Sequence, residues 1–207
     1  MQINLFLIIS LFFLIICCSV DKKEQLDKKN TDTTVNVLTR IDSVNSILDE
    51  NSDFIADGFD FPVEKPNPNG YYNSQKFGIN FHLGEDWNST EGGNSDLGDP
   101  IYSIGNGYVN FAKDIGVGWG NVVRIWHKTS NGKIIESLYA HCDSILVKKG
   151  DFVQKGQQIA TIGTANGRYI AHLHFEIRDN VNLSIGEGYS TNPKGYLNPT
   201  SFINKNR

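Results

Sequence analysis

Hydrophobic and polar positions alternate most cleanly in Ala171-His172-Leu173-His174-Phe175-Glu176-Ile177-Arg178. Leu173, Phe175 and Ile177 interleave with His172, His174, Glu176 and Arg178, which is the period-two pattern of a strand with one face in a core. Residues two apart on a strand project to the same side, so His172 and His174 share a face. Further short apolar runs bounded by turn residues lie at Ile101–Ile104, Tyr108–Ala112, Asn121–His127, Lys133–Ala140 and Gln158–Ile162. Asn106-Gly107 and Asn131-Gly132 each separate two of these runs and predict hairpins, because Asn-Gly takes the positive φ angles of a type I′ turn at little cost. Lys149-Gly150-Asp151 and Lys155-Gly156-Gln157 mark two more turns. No stretch beyond Phe59 shows helical periodicity. The expected fold is therefore all-β, a compact antiparallel barrel or sandwich of short strands.

The pattern before Phe59 is different. Ile3 to Val20 is nearly unbroken Leu, Ile and Phe without a charge, and Asp21 to about Thr34 is almost wholly polar. The first reads as an export segment and the second as a tether too polar to offset its own ordering. Leu14-Ile15-Ile16-Cys17-Cys18-Ser19 resembles the lipobox of bacterial lipoproteins, which implies lipidation of Cys18 and places the rest of the chain outside the cytoplasm. An uncleaved membrane anchor is the alternative. Val37, Ile41, Val44 and Leu48 recur at spacings of four, three and four, predicting a short helix to about Glu50. The expected organisation is a signal segment over 1–17, a tether over 18–58 and one folded domain over 59–207.

Composition agrees with one domain. The 207 residues, 39% apolar with 20 glycines, provide one sizeable core. A net charge of −4 offers no basic footprint for nucleic acid. With Cys17 and Cys18 in the export segment, Cys142 is the single thiol of the folded part, so no internal disulfide is expected there.

Candidate chemistry rests on histidine, of which the chain has five. His82 and Asp86 stand four apart in a Gly-rich stretch read as a loop, and His141 ends the run Tyr139-Ala140-His141. Strand alternation would place Tyr139 and His141 on one face, with Ala140 and Cys142 on the other. Taken singly, each is an ordinary solvated or turn-forming residue. Together they form a set, since a catalytic zinc needs three protein ligands and an open position. His82, Asp86 and one histidine of the 172/174 pair supply three ligands, leaving His141 and the other histidine to handle protons. A cysteine protease built on Cys142 fails on direction, because adjacent His141 and Cys142 point oppositely on a strand. His127 has no partner motif and reads as a surface or core histidine.

From about Phe61 to Ile203 the chain resembles the LytM/lysostaphin-type metalloendopeptidases, the M23 peptidases. The resemblance rests on His82-x-x-x-Asp86, Tyr139-x-His141 and His172-x-His174-Phe175-Glu176, supported by the text from Ser144 to Gln157 and by Tyr196-Leu197-Asn198-Pro199. It implies that His82, Asp86 and His174 bind one zinc, that His141 and His172 are catalytic, and that the substrate is the peptide cross-link of bacterial peptidoglycan. Zinc would polarise the scissile carbonyl and lower the pKa of its water to about 7. Glu176 reads as a partner orienting a histidine or as a salt bridge with Arg178, and Glu85 as a solvated loop residue. The other function expected of such a chain is a catalytically silent cell-envelope protein that binds and activates another wall hydrolase. Such members typically lose zinc ligands, and all are present here. The stretch Val147 to Ile162 also resembles the hairpin of biotinyl carrier domains, which would have no use for the histidines.

Overall fold

Strand β9 (Leu173–Arg178) lies at the centre of the fold, in a computed structural model that describes residues 40–207. The export segment, most of the tether and Cys18 lie outside the described residues. Contacts divide the chain after Ser43, and Val44–Arg207 form the unit considered below. Its strands are β1 (Tyr71–Gln75), β2 (Glu85–Ser89), β3 (Pro100–Tyr102), β4 (Gly107–Asp114), β5 (Asn121–Lys128), β6 (Ile134–Ile145), β7 (Phe152–Val153), β8 (Gln158–Ile162), β9 and β10 (Tyr196–Leu197). All pair antiparallel, in the order β1-β2-β9-β6-β5-β4-β7, with β10 on β9, and β8 joining β3 to β6. The all-β expectation holds.

The alternation of β9 is realised, with Leu173, Phe175 and Ile177 in the hydrophobic core. Its polar face is buried as well, so this strand is covered on both sides. Helix α1 runs over 40–49 and buries Val44 and Leu48 completely. Val37 lies outside the described residues. Residues assigned to the tether thus belong to the packed unit, which begins before the expected boundary at Phe59. Ala56 bridges to Thr129 and joins the core, and the Phe54 ring meets Phe152.

Three local expectations are corrected. Asn131-Gly132 does turn β5 into β6, but Asn106-Gly107 is no hairpin, since β3 pairs with β8 while β4 pairs with β5 and β7. Gly107 is needed for close approach instead: a Cβ there would lie 2.5 Å from the Trp126 carbonyl oxygen. A helix exists beyond Phe59, α2 (Pro199–Lys205), started by the Asn198 side chain accepting from the Ser201 N–H at 2.8 Å with Pro199 in the first turn. Finally, Tyr139 and His141 do not share a face. Tyr139 and Cys142 both enter the core, because β6 carries an extra residue against β5 between Tyr139 and Cys142, and His141 takes a left-handed φ of 62°. This bulge rotates His141 away from the core. It also marks where β6 exchanges β9 for β8 as its neighbour.

Candidate metal centre

Pairing brings the first two candidates together. Asp86, expected in a loop, lies on β2 directly opposite His174 on β9, close enough across the ladder for their side chains to meet. His82 precedes β2, and its loop is pressed onto β9. Gly84 permits this, since a Cβ there would sit 2.6 Å from the Phe175 carbonyl oxygen and 3.0 Å from His174 Cε1.

The result is a cluster of three donor atoms. His174 Nδ1 lies 3.0 Å from Asp86 Oδ1 and 3.0 Å from His82 Nε2, and His82 Nε2 lies 3.4 Å from Asp86 Oδ1. All three residues are nearly excluded from solvent, at 1%, 9% and 4% exposure for His82, Asp86 and His174. An ion with tetrahedral bonds of about 2.0–2.2 Å separates its ligand atoms by roughly 3.3–3.6 Å, so these spacings need only a slight expansion to fit zinc. Among the described residues this is the one group of three or more His, Cys, Asp or Glu side chains able to converge on an ion.

Electrostatics points the same way. Burial opposes charge on Asp86, but hydrogen bonds from His174 and His82 outweigh it and hold the carboxyl well below its usual range. Burial likewise opposes charge on His174, and its hydrogen bonds with Asp86 and Glu176 reverse that, raising the imidazole to about 9. The cluster therefore favours a positive charge at its centre, whether a proton or a cation supplies it.

His141 and His172 complete the site. Their rings face each other with centroids 4.7 Å apart, and His172 Nε2 is 3.9 Å from Asp86 Oδ1. Each uses Nδ1 on a backbone carbonyl, His141 on Trp119 at 3.2 Å and His172 on Ile170 at 2.8 Å. A carbonyl only accepts, so Nδ1 of each ring carries a proton, and a ring in its neutral form presents its lone pair at Nε2. Burial, reinforced by the charges of His174 and His172, lowers His141 to about 3 and keeps it neutral.

Glu176 is both things the sequence allowed. One carboxylate oxygen meets His174 Nε2 at 3.0 Å and the other accepts from Arg178 Nε at 2.7 Å, all within the protein and not at its surface. Glu85 is not solvated: it is buried and accepts from Thr200 Oγ1 at 2.7 Å. His127 is a core histidine, with its ring nitrogens on the Asn106 carbonyl and Ser137 Oγ. Trp119 was missed, although its carbonyl also accepts the His141 N–H at 3.0 Å and its ring stands edge-on to His174. Only the glycines around it, Gly116, Gly118 and Gly120, marked that loop. The site opens into a groove of about 940 Å³, whose lining includes Asp86, His141, His172, His174, Trp119 and Tyr189.

Residues 80–190 match the family model described as Peptidase family M23. The chain is 38% identical over 100 residues to Lipoprotein NlpD of Yersinia enterocolitica, covering 48% of this chain and 91% of that protein. It is 35% identical over 119 residues to Murein hydrolase activator NlpD of Escherichia coli (strain K12), covering 55% of this chain and 28% of that one. It is 36% identical over 116 residues to Peptidoglycan DD-endopeptidase ShyB of Vibrio cholerae, covering 52% of this chain and 25% of that one. The match thus spans about a quarter of the length of the latter two proteins. Among solved structures, the catalytic domain of the antimicrobial peptidase lysostaphin from Staphylococcus simulans is similar at 25% identity and a TM-score of 0.49, over 66% of this chain and 94% of that one. Among the described residues no helix is long and apolar enough to cross a membrane.

Proposed function

The chain belongs to peptidase family M23, and on that premise we propose that it is a zinc-dependent endopeptidase acting on the peptide cross-links of bacterial peptidoglycan. The observation that carries this reading is the convergence of His82 Nε2, Asp86 Oδ1 and His174 Nδ1 within 3.4 Å of one another, beside two further histidines in one groove. His82, Asp86 and His174 would hold the ion. Zinc bound there supplies Lewis acidity toward a peptide carbonyl and an activated water as nucleophile.

The chain's own residues supply the rest. His141 and His172, with Nδ1 protons committed to backbone carbonyls, offer Nε2 lone pairs to the groove. One accepts the proton released on attack and either can return it to the leaving amine. Whichever imidazole has taken up that proton would, until it returns it, also stabilise negative charge on the carbonyl oxygen. Glu176 accepts the His174 Nε2 proton and so directs the Nδ1 lone pair at the ion. Exposed Phe81, Val117, Tyr169 and Tyr189 give the site apolar surroundings open to an extended peptide. In the proposed envelope setting, lipidated Cys18 anchors the chain to a membrane, as the name of the Yersinia relative suggests.

A second reading follows from the relatives named murein hydrolase activators: the chain binds another wall hydrolase and cuts nothing itself. An activator has no need of five aligned metal-site and proton-handling residues. One experiment separates the two. Purified sacculi are digested with wild type, His141→Ala and His172→Ala at matched zinc content, and released muropeptides are identified by mass spectrometry. The endopeptidase reading expects release by wild type and a loss of about 10²–10⁴-fold in each variant. Release by none of them, or equally by all three, would refute it.

A further inference from the structure

The polar face of β9 does not end at the metal centre. Beyond His174 and Glu176 it continues to Arg178, whose side chain is fully buried. Arg178 donates from Nε to Glu176 Oε2 at 2.7 Å, and its other nitrogens donate to the carbonyls of Ser184 at 3.0 Å and Ile185 at 2.8 Å. Glu136 stands 3.6 Å from the same guanidinium and accepts two bonds from Arg124, which itself donates to the Leu183 carbonyl at 2.9 Å. Two guanidiniums and two carboxylates thus neutralise one another under the 183–185 segment.

That segment runs on into a wall of the groove, lined by Ile185, Gly186, Glu187, Gly188 and Tyr189. Its far end returns to the metal site. The Leu83 N–H donates to the Gly188 carbonyl and the Ser190 N–H to the Phe81 carbonyl, both at 2.9 Å, while the Tyr189 ring lies 5.1 Å from the His82 ring. One loop is therefore tied at its start to His174, through Arg178 and Glu176, and at its end to the backbone around His82.

Apolar side chains could cover β9 without the desolvation cost of four buried charges. What they could not do is connect a metal ligand to a groove wall by directional bonds. The planar guanidinium does so because it addresses a carboxylate and two carbonyls at once, whereas an ammonium group presents one point charge on a shorter reach. Resting on the metal reading above, we propose that Arg178 is a positioning residue that couples the 183–189 wall to His174, so that zinc binding orders the substrate groove. The wall in turn contributes to zinc affinity.

Hydrogen exchange of the full chain with and without zinc, together with chelator-competition affinity, tests this on wild type, Arg178→Lys and Arg124→Lys. In wild type, zinc should slow exchange of the 183–189 amides. Arg178→Lys should bind zinc about 10–100-fold more weakly and lose the zinc-dependent slowing in that segment. Arg124→Lys, whose contacts are with Glu136 and the Leu183 carbonyl and not with Glu176, loosens the wall without breaking its tie to His174 and should weaken zinc binding less than Arg178→Lys; an equal or larger loss would overturn the assignment of the coupling to Arg178. Zinc binding that leaves 183–189 exchange unchanged in wild type overturns the coupling, and this measurement needs no variant to fold. Wild-type affinity in Arg178→Lys overturns it equally. A wild-type chain that takes up no zinc removes the metal reading, and the coupling with it.

Discussion

Gly84→Ala perturbs the candidate metal centre without replacing any of its three donor residues. Gly84 has no left-handed backbone angle to lose, so the effect of a methyl group there is steric. The added Cβ would lie 2.6 Å from the Phe175 carbonyl oxygen, 2.8 Å from Glu176 Cγ and 3.0 Å from His174 Cε1. The first of these is backbone of the central strand β9 and cannot swing aside. Relief to ordinary contact requires the 82–84 loop to lift by roughly 0.8 Å, and overpacking of this kind costs about 1–3 kcal/mol. Metal–ligand distances tolerate only about 0.2 Å, so such a lift carries His82 Nε2 beyond bonding distance from an ion held by Asp86 and His174. Zinc affinity should fall at least about tenfold, which removes about 1.4 kcal/mol of the stabilisation that saturating zinc provides. Chelator competition measures the affinity, and urea denaturation with and without zinc separates the two costs. Gly70→Ala is the control, because its nearest neighbour would be a flexible Glu64 carbon at 3.7 Å. Wild-type zinc affinity and stability in Gly84→Ala would refute the claim that close approach at this glycine sets the position of His82.

His82→Ala, Asp86→Ala and His174→Ala should each abolish zinc retention by metal analysis, while Cys142→Ser retains it. Cys142 is buried in the core, which pushes its thiol up to about 12 and keeps it protonated. Burial lowers His127 from 6.5 to about 4. Its folded pKa lies below the unfolded one, so the unfolded chain takes up the proton first and stability falls as pH drops through this window, by about 3 kcal/mol. Urea denaturation at pH 7 and pH 4 should show a shallower dependence in His127→Gln, and an unchanged one would contradict the assignment. Labelling with a fatty-acid analogue should mark the wild type and not Cys18→Ala.

Where the sequence was legible, a strong local rule acted alone. The period-two pattern at 172–178 placed His172, His174 and Glu176 on one face because β9 runs without a bulge and the opposite face fills the core. Asn131-Gly132 made its turn because nothing else competes for those residues. Asn106-Gly107 carries the same dipeptide signal, yet the Asn106 side chain donates to the Asp53 and Ile55 carbonyls and accepts the Lys155 N–H. Tertiary partners claimed it, and no local rule reports them. The same holds for residues 44–58: Val44, Leu48 and Ala56 are apolar in a polar setting, and only the assembled sheet decides that they belong to the core.

His141 shows why a motif can be read more surely than the geometry that makes it work. Strict alternation through Tyr139, Ala140 and His141 would leave the imidazole beside Tyr139 in the apolar core, where it could reach neither His172 nor the groove. One extra residue in β6 inverts the register from Tyr139 onward, so the same sequence delivers Tyr139 and Cys142 to the core and His141 to the site. The left-handed angle at His141 is strained for a residue with a Cβ. Two bonds to the Trp119 carbonyl, from the His141 backbone N–H and from Nδ1, hold it there. Nearby Gly163 allows the neighbouring strand to close on this bend, since a Cβ at that position would lie 2.6 Å from the His141 carbonyl oxygen. His141 is thus placed by a bulge, a tryptophan carbonyl and a glycine that lie 22 residues or fewer from it in the chain, none of which alternation or motif spacing predicts.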